Sequence, residues 1–394
     1  MNNLNDSFLK LEQYCRENNY KGYSLYDSHL SNIPFEKFGS NISFIINQIN
    51  KRSPINFRKI INVKKEYNPK GMGLFLNSYL IQKELGNPLE IKHLDKSIDF
   101  FFNWLESNFS KGYSGYCWGY NYPWPKKDGS IVKPFYPTSV VTGFNIRSIF
   151  KYYLMTNDKR AIKIIKKAKD FILNDIPFIE NKRGICFSYT TTKQDITINA
   201  NLLAGEILAY SDYVENKNSN INTIKKILDF TTSYQNKNGS WYYSYDIKTK
   251  KPKIQIDFHQ GYVLESIKRI CKFSEITISD YKNIINNGLS FYYNNQFSKE
   301  GYSFWRIPSK WPVDIHNQSQ GIITFSNFKS FNPKYLDFSK KIANWTITNM
   351  QNKIKGNFYY QKWPIITNKV SYMRWNQGWM MVAISTLMKN ILKK

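Results

Sequence analysis

Histidine and cysteine are scarce in this chain, with four of each in 394 residues. Cys15, Cys117, Cys186 and Cys271 are scattered, without a C-x-x-C or any Cys/His pairing at metal-ligand spacing. Reduced thiols are therefore expected, and neither a metal site nor a disulfide framework. Acidic residues are also few, 29 against 56 lysines and arginines, which leaves a net charge of +27. No apolar run reaches the ~18 residues of a membrane-spanning helix. The N-terminal stretch MNNLNDSFLKLEQYCREN lacks a basic segment leading into an apolar core, so no secretory signal is expected and the cytoplasm is the default location. A βαβ rhythm is missing too, which excludes a doubly wound sheet. The positive charge comes without a helix-turn-helix, zinc-finger or RNA-recognition signature, so nucleic acid is not the expected partner. Lys, Asn, Ile and Tyr are abundant together, a composition bias that accounts for much of the charge; an anionic partner accounts for it otherwise.

What the chain does contain is a repeat. Gln255 to Glu265 holds Asp257, an apolar residue, His259 and a helical run, and Val313 to Thr324 repeats that order with Asp314 and His316. Both the aspartates and the histidines are 57 residues apart, so two of the four histidines share one register. Upstream, the register reaches Asp195-Ile196-Thr197, then Thr138-Ser139, and a weaker copy at Gly71. Downstream it reaches Tyr372-Met373-Arg374, with Arg374 58 residues beyond His316. Five copies are preceded by a Gly followed three residues later by an aromatic: Gly115 and Trp118, Gly184 and Phe187, Gly239 and Tyr242, Gly301 and Phe304, Gly356 and Tyr359. The Gly suits a tight turn and the clustered aromatics suit short extended pieces, so each reads as a β-turn or hairpin feeding a helix.

The motif-bearing helices are poor in charge and are expected to begin near residues 71, 138, 197, 259, 316 and 374. Between them lie segments 94–109, 159–176, 221–235, 280–297 and 335–351, apolar at three- and four-residue spacing with Lys and Asp between, as in one-faced outer helices. Alternating inner and outer helices predict an all-α fold, a single (α/α)6 toroid over residues 66–394, with residues 1–65 as a helical extension packed on it. Inner helices of a toroid run parallel, so the repeat motifs are expected around one mouth.

QNKNGSW, Gln235 to Trp241, resembles the QW motif of terpenoid cyclases, and Gln351 to Phe358 is a looser copy. The cyclases' acidic DxDD is absent, so that resemblance implies the toroid and not the chemistry. The run YCWGYNYPW, PTSVVTGF, CFSYT, NANLL, NGSW, DFHQGYVLES, VDIHNQSQ, YMRWNQGWM more closely resembles helical-toroid proteins of exopolysaccharide and capsule clusters, related to the biofilm protein VpsJ. Some of these carry a δ-aminolevulinate dehydratase label, which needs a β/α barrel that this pattern does not contain. The resemblance covers about residues 70–392 and implies a polysaccharide context without assigning an activity. Pro125-Lys126 departs from it where a polar stretch is expected, which puts a ligand contact near Trp124 in question.

Two imidazoles at one mouth suit proton abstraction on one face of a sugar and return on the other, since His titrates near neutrality. Arg374 offers a two-pronged grip on a substrate anion, and helix N-termini favour the same charge. Asp257 and Asp314 are expected to orient the histidines or cap their helices, or else to form the carboxylate pair of a glycoside hydrolase. The aromatics Trp118, Trp124, Trp241, Tyr242, Trp305 and Trp375, with Thr197, Asn199 and Gln318, complete the expected substrate contacts; no metal or cofactor is called for. The predicted function is acid/base chemistry on an anionic or amino-sugar glycan, as an epimerase, lyase or hydrolase. The alternatives are a non-catalytic glycan-binding subunit of a polysaccharide assembly system and an isoprenoid-handling toroid.

Overall fold

The computed structural model describes residues 2–33, 39–86, 89, 91–125 and 131–392. In chain order its helices are α1 (Asn2–Glu17), α2 (Ser40–Arg52), α3 (Pro69–Leu85), α4 (Ile91–Ser107), α5 (Ser139–Thr156), α6 (Lys159–Asp175) and α7 (Ile198–Glu215). There follow α8 (Ile221–Thr232), α9 (His259–Phe273), α10 (Lys282–Asn295), α11 (Ile315–Asn327), α12 (Lys334–Met350) and α13 (Trp379–Leu392). Helices α3, α5, α7, α9, α11 and α13 pack side by side in that order, and α13 returns to α3. Helices α4, α6, α8, α10 and α12 lie against them. This is the (α/α)6 toroid that the repeat predicts.

Composition separates the two rings. Along α7 every side chain from Ile198 to Asp212 is buried, as a helix touched on all sides requires. Outer helix α6 buries only Ala161, Ile164, Ile165, Ala168, Phe171 and Ile172, one face at three- and four-residue spacing, and turns its lysines outward. The sixth inner helix departs from the expectation in one respect. It opens with a π-turn, Met373–Gly378, in which the N–H groups of Asn376 and Gln377 both reach the Tyr372 carbonyl, at 2.9 and 3.3 Å.

The repeated glycines explain how one unit docks on the next. A methyl group on Gly115 would sit 1.7 Å from the Lys167 carbonyl oxygen of α6, and one on Gly356 2.2 Å from that of Lys10 in α1. Gly184, Gly239 and Gly301 abut Lys226, Asn287 and Lys341 in the same way. Helix α1 therefore takes the outer place beside α13 and closes the ring. Gln351 confirms the equivalence: its amide donates to Gly356 and Ser7 carbonyls, as Gln235 donates to those of Gly239 and Ile284 in α10.

Short strands join neighbouring repeats around the mouth. The Ile196–Thr197 strand pairs with Ser244–Tyr245 of the next repeat, and Val313–Asp314 pairs with Gln361–Lys362. Thr138 bridges Thr190, and Tyr372 bridges Tyr23 of the N-terminal segment. Extended backbone immediately before each of these inner helices thus fixes which side chain enters the ring.

Candidate active site

Asn68, Thr138 and Asp314 cap three of the inner helices through their side chains, and around the ring the residue two positions beyond this register lines the central cavity. Asn68 caps α3 through Gly71 N–H at 3.3 Å, Thr138 caps α5 through Val141 N–H at 3.0 Å, and Asp314 caps α11 through His316 N–H at 2.9 Å. Asp257 accepts His259 N–H at 3.2 Å in the same manner. Two residues on stand Lys70, Val140, Asn199, His259, His316 and Arg374, all on the wall of one cavity of about 960 Å³. This corrects the expected register: Thr138 and Thr197 take the place of Asp257 and Asp314, not that of the histidines. Lys70 was missed for the same reason, since the first copy is recognisable from Gly71 onward but its cap is Asn68. Around the ring, His259, His316, Arg374 and Lys70 form a continuous basic arc on α9, α11, the π-turn and α3.

The two imidazoles flank the ring of Phe258, each with its centroid 4.1 Å from that of the phenyl group, so they lie within twice that distance of one another. His259 Nδ1 is 2.5 Å from Asp257 Oδ1. Asp257 also accepts from Gln255 Nε2 at 2.7 Å and faces Arg306 Nε at 3.6 Å. Burial pushes the Asp257 carboxyl upward, but the His259 imidazole and its hydrogen bonds, with Arg306, outweigh this and hold it below the ordinary carboxylate value. A carboxylate on Nδ1 keeps the proton there and leaves Nε2 as the acceptor. His316 is fully buried, with Nε2 2.5 Å from the Tyr262 hydroxyl and Nδ1 without a partner. Burial first, then the positive charges of Lys70, Arg374 and His259, hold its pKa well below the usual 6.5, so it is neutral. Asp314 accepts from His316 N–H, from Trp375 Nε1 at 3.0 Å and from Gln361 Nε2 at 2.8 Å; burial raises its pKa despite them.

Arg374 is buried, stacked 4.9 Å from the Tyr120 ring centroid and 3.4 Å from the Tyr122 hydroxyl, with Nε unpartnered. Lys70 Nζ lies 3.9 Å from the Phe144 ring centroid, and burial pulls its pKa well below the ordinary amine value. Among the described residues neither cation has a carboxylate within ion-pair distance. A buried cation without a counter-ion is costly, and an anionic ligand would relieve it. No group of three or more His, Cys, Asp or Glu side chains converges as metal ligands among the described residues.

Of the other expected contacts, Asn199, Trp305 and Trp375 line the cavity, and the Asn199 Oδ1 is buried and unpartnered. Trp118, Trp241 and Gln318 lie away from it. The indole N–H groups of Trp118 and Trp241 donate to Leu105 and Thr231 carbonyls of the preceding outer helices. Gln318 clamps a turn: its Oε1 accepts Ser303 N–H at 2.6 Å and its amide donates to the Gly301 carbonyl and the Thr346 hydroxyl. Gln260 and Gln377 hold the Trp241 and Phe358 peptides in the same way. Thr197 is not on the wall but donates at 2.7 Å to Asp195, which is, and Tyr242 is half-buried outside it. The Trp124 side chain and Lys126 lie outside the described residues. Besides Lys70, sequence reasoning missed Tyr189 and Arg306 on the wall, and Lys51 and Arg52 of α2 above it. Tyr120 and Tyr243 also stand on the wall, in the aromatic runs that follow Gly115 and Gly239.

No family model and no curated protein matches this chain. Among solved structures it is similar to cellobiose 2-epimerase from Bacillus thermoamylovorans, with a TM-score of 0.66 and 12% identity over 84% of this chain and 90% of that one. It is similar to the GH76 alpha-mannanase of Bacteroides thetaiotaomicron, with a TM-score of 0.60 and 12% identity over 82% of this chain and 85% of that one. It is also similar to an unsaturated glucuronyl hydrolase specific for heparin, with a TM-score of 0.58 and 14% identity over 83% and 87% of the two chains. At such identities the likeness is one of fold, and function is argued from the site.

Proposed function

We propose that this protein is a carbohydrate-active enzyme of surface-polysaccharide biosynthesis or modification, working in the cytoplasm on an anionic or amino-sugar glycan. His259 and His316 are its acid/base pair. The observation that carries this reading is their shared register: equivalent positions on adjacent inner helices, each ring with one nitrogen unpartnered among the described residues. His259 Nε2 removes a proton from the carbon beside a sugar carbonyl, while Asp257 stabilises the imidazolium that forms. Arg374 and Lys70 hold the substrate anion and the oxygen on which charge develops. Return of a proton to the opposite face from His316 Nδ1–H, as Nε2 draws the Tyr262 hydroxyl proton, gives the epimer, and loss of a β-substituent together with the proton held by His259 instead gives the unsaturated sugar of a lyase. The carboxylates support positioning roles rather than hydrolysis, because each already accepts several hydrogen bonds. Trp305, Trp375 and Tyr120 supply flat apolar faces for sugar rings. The similar structures include an epimerase, a mannanase and a glucuronyl hydrolase, which supports a carbohydrate substrate.

The test is deuterium uptake from heavy water into oligosaccharides containing uronic acid or amino sugar, followed by NMR, for the native protein, His259→Gln and His316→Gln. Each substitution is expected to lower exchange ~100- to 10,000-fold. Glycan binding without exchange by any form would instead identify a binding subunit, and a prenyl diphosphate occupying the cavity would favour the isoprenoid reading.

A further inference from the structure

Helix α2 lies over the mouth with two different faces. Phe44, Asn47, Gln48 and Lys51 border the cavity. Ile42, Ile45 and Ile49, three and four residues apart, point away from it and are each about half exposed, at 46, 54 and 56%. A stripe of isoleucine facing solvent has no structural use within the toroid. It continues past the helix into Ile55 and Ile60, both exposed. The Gln361–Asn368 hairpin lies alongside, tied by the Asn368 amide to the Ser53 carbonyl at 2.9 Å, and carries Ile365 at 95% exposure with Ile366 beside it. Across the mouth Ile254, 77% exposed, stands between Lys253 and Gln255 of the cavity wall.

The charge around these isoleucines is predominantly positive. Arg52, Lys59, Lys64 and Lys65 are exposed on the first segment, Lys369 on the second, and Lys248, Lys250, Lys251 and Lys253 on the third; Glu66 and Asp246 are the exposed acids in those three stretches. Isolated isoleucines set among lysines fit an interface that is apolar a few ångströms deep and anionic at its surface. A protein partner would bury a continuous apolar patch and match the lysines with carboxylates at fixed places, which a dispersed rim does not favour.

We infer that the mouth face of the toroid docks on an anionic lipid surface, inserting Ile42, Ile45, Ile49 and Ile365 among the headgroups while the surrounding lysines meet the lipid charge. Attachment is peripheral, since no described helix is long and apolar enough to cross a membrane. A substrate carried on the same lipid would meet the cavity without leaving the surface. That consequence rests on the proposed function, whereas the docking does not.

The experiment is co-sedimentation of the full chain with vesicles of phosphatidylcholine alone and of phosphatidylcholine with phosphatidylglycerol, across a salt series. Partitioning onto the anionic vesicles, weak on the neutral ones and weakened by salt, is expected. Ile45→Ser with Ile49→Ser, Ile365→Ser and Ile366→Ser should lower it by about tenfold or more. Lys248, Lys250 and Lys251→Gln should lower it about fivefold per residue, and these exposed positions leave the fold intact. Absence of binding to anionic vesicles at low salt overturns the inference. Unchanged binding by the isoleucine variant overturns it as well, and so does a native dimer that this variant makes monomeric, which would assign the stripe to a second copy. Glycan turnover in detergent-free buffer is measured separately, so loss of docking and failure of the proposed chemistry are told apart.

Discussion

Asp257→Asn separates proton chemistry by the histidines from chemistry by the carboxylates. The substitution keeps volume and one acceptor oxygen, so the His259 N–H bond survives, and Gln255 can turn its amide to meet the new NH₂ group. What disappears is the negative charge beside the imidazole. With Nδ1 at 2.5 Å from Oδ1 in a buried pair, the imidazolium and carboxylate charge centres are about 4 Å apart, and at an effective dielectric of ~20 their attraction is ~4 kcal/mol. That attraction is absent while the imidazole is neutral and present when it holds the substrate proton, so it stabilises the transition state selectively. At ~1.36 kcal/mol per decade, kcat should fall about 1,000-fold with KM little changed. Deuterium exchange kinetics measure this, with thermal melting to check folding. Retention of kcat within about threefold would refute the imidazolium argument. A dead Asp257→Asn beside an active His259→Gln would hand the chemistry to the carboxylates.

Three further outcomes are expected. Gln318→Ala should lower stability by about 2–4 kcal/mol in urea melts while leaving kcat unchanged, because it strands the buried Ser303 N–H and Gly301 carbonyl without removing any cavity contact. His316 is buried with its pKa far below 6.5, so the unfolded chain takes up a proton that the folded chain refuses; stability is full above that pH and declines as pH falls below it. His316→Gln should flatten the decline, read from urea midpoints at pH 8, 6 and 5, by at most about 1.4 kcal/mol per pH unit. Gly239→Ala should cost more than about 2 kcal/mol in the same assay, since Gly239 has φ +90° and a methyl group there meets the Asn287 carbonyl oxygen at 2.3 Å.

The repeat in the amino-acid sequence determined the architecture by itself. Inner helices expected near 71, 138, 197, 259, 316 and 374 begin at Pro69, Ser139, Ile198, His259, Ile315 and the Met373 π-turn, because the repeat sets the spacing of the turns and extended residues that open each of them. The pairing of Asp257 with His259 and of Asp314 with His316 was legible for the same reason, as a local two-residue relation. Tertiary structure alone decided what entered the cavity. Thr138 and Thr197 look like members of the histidine register, yet their hydroxyls serve as a cap and a partner to Asp195, and Val140 and Asn199 face inward. Trp118, Trp241 and Gln318 carry the polar and aromatic groups a sugar site would use, but the glycine-mediated approach of the next repeat turns them into the walls between helices. Lys70 and Arg374 are 304 positions apart in the chain and become neighbours only when α13 returns to α3. Periodicity specifies which side of a helix turns inward; which side chains there keep an unpartnered nitrogen depends on closure of the ring, a contact between the first repeat and the last.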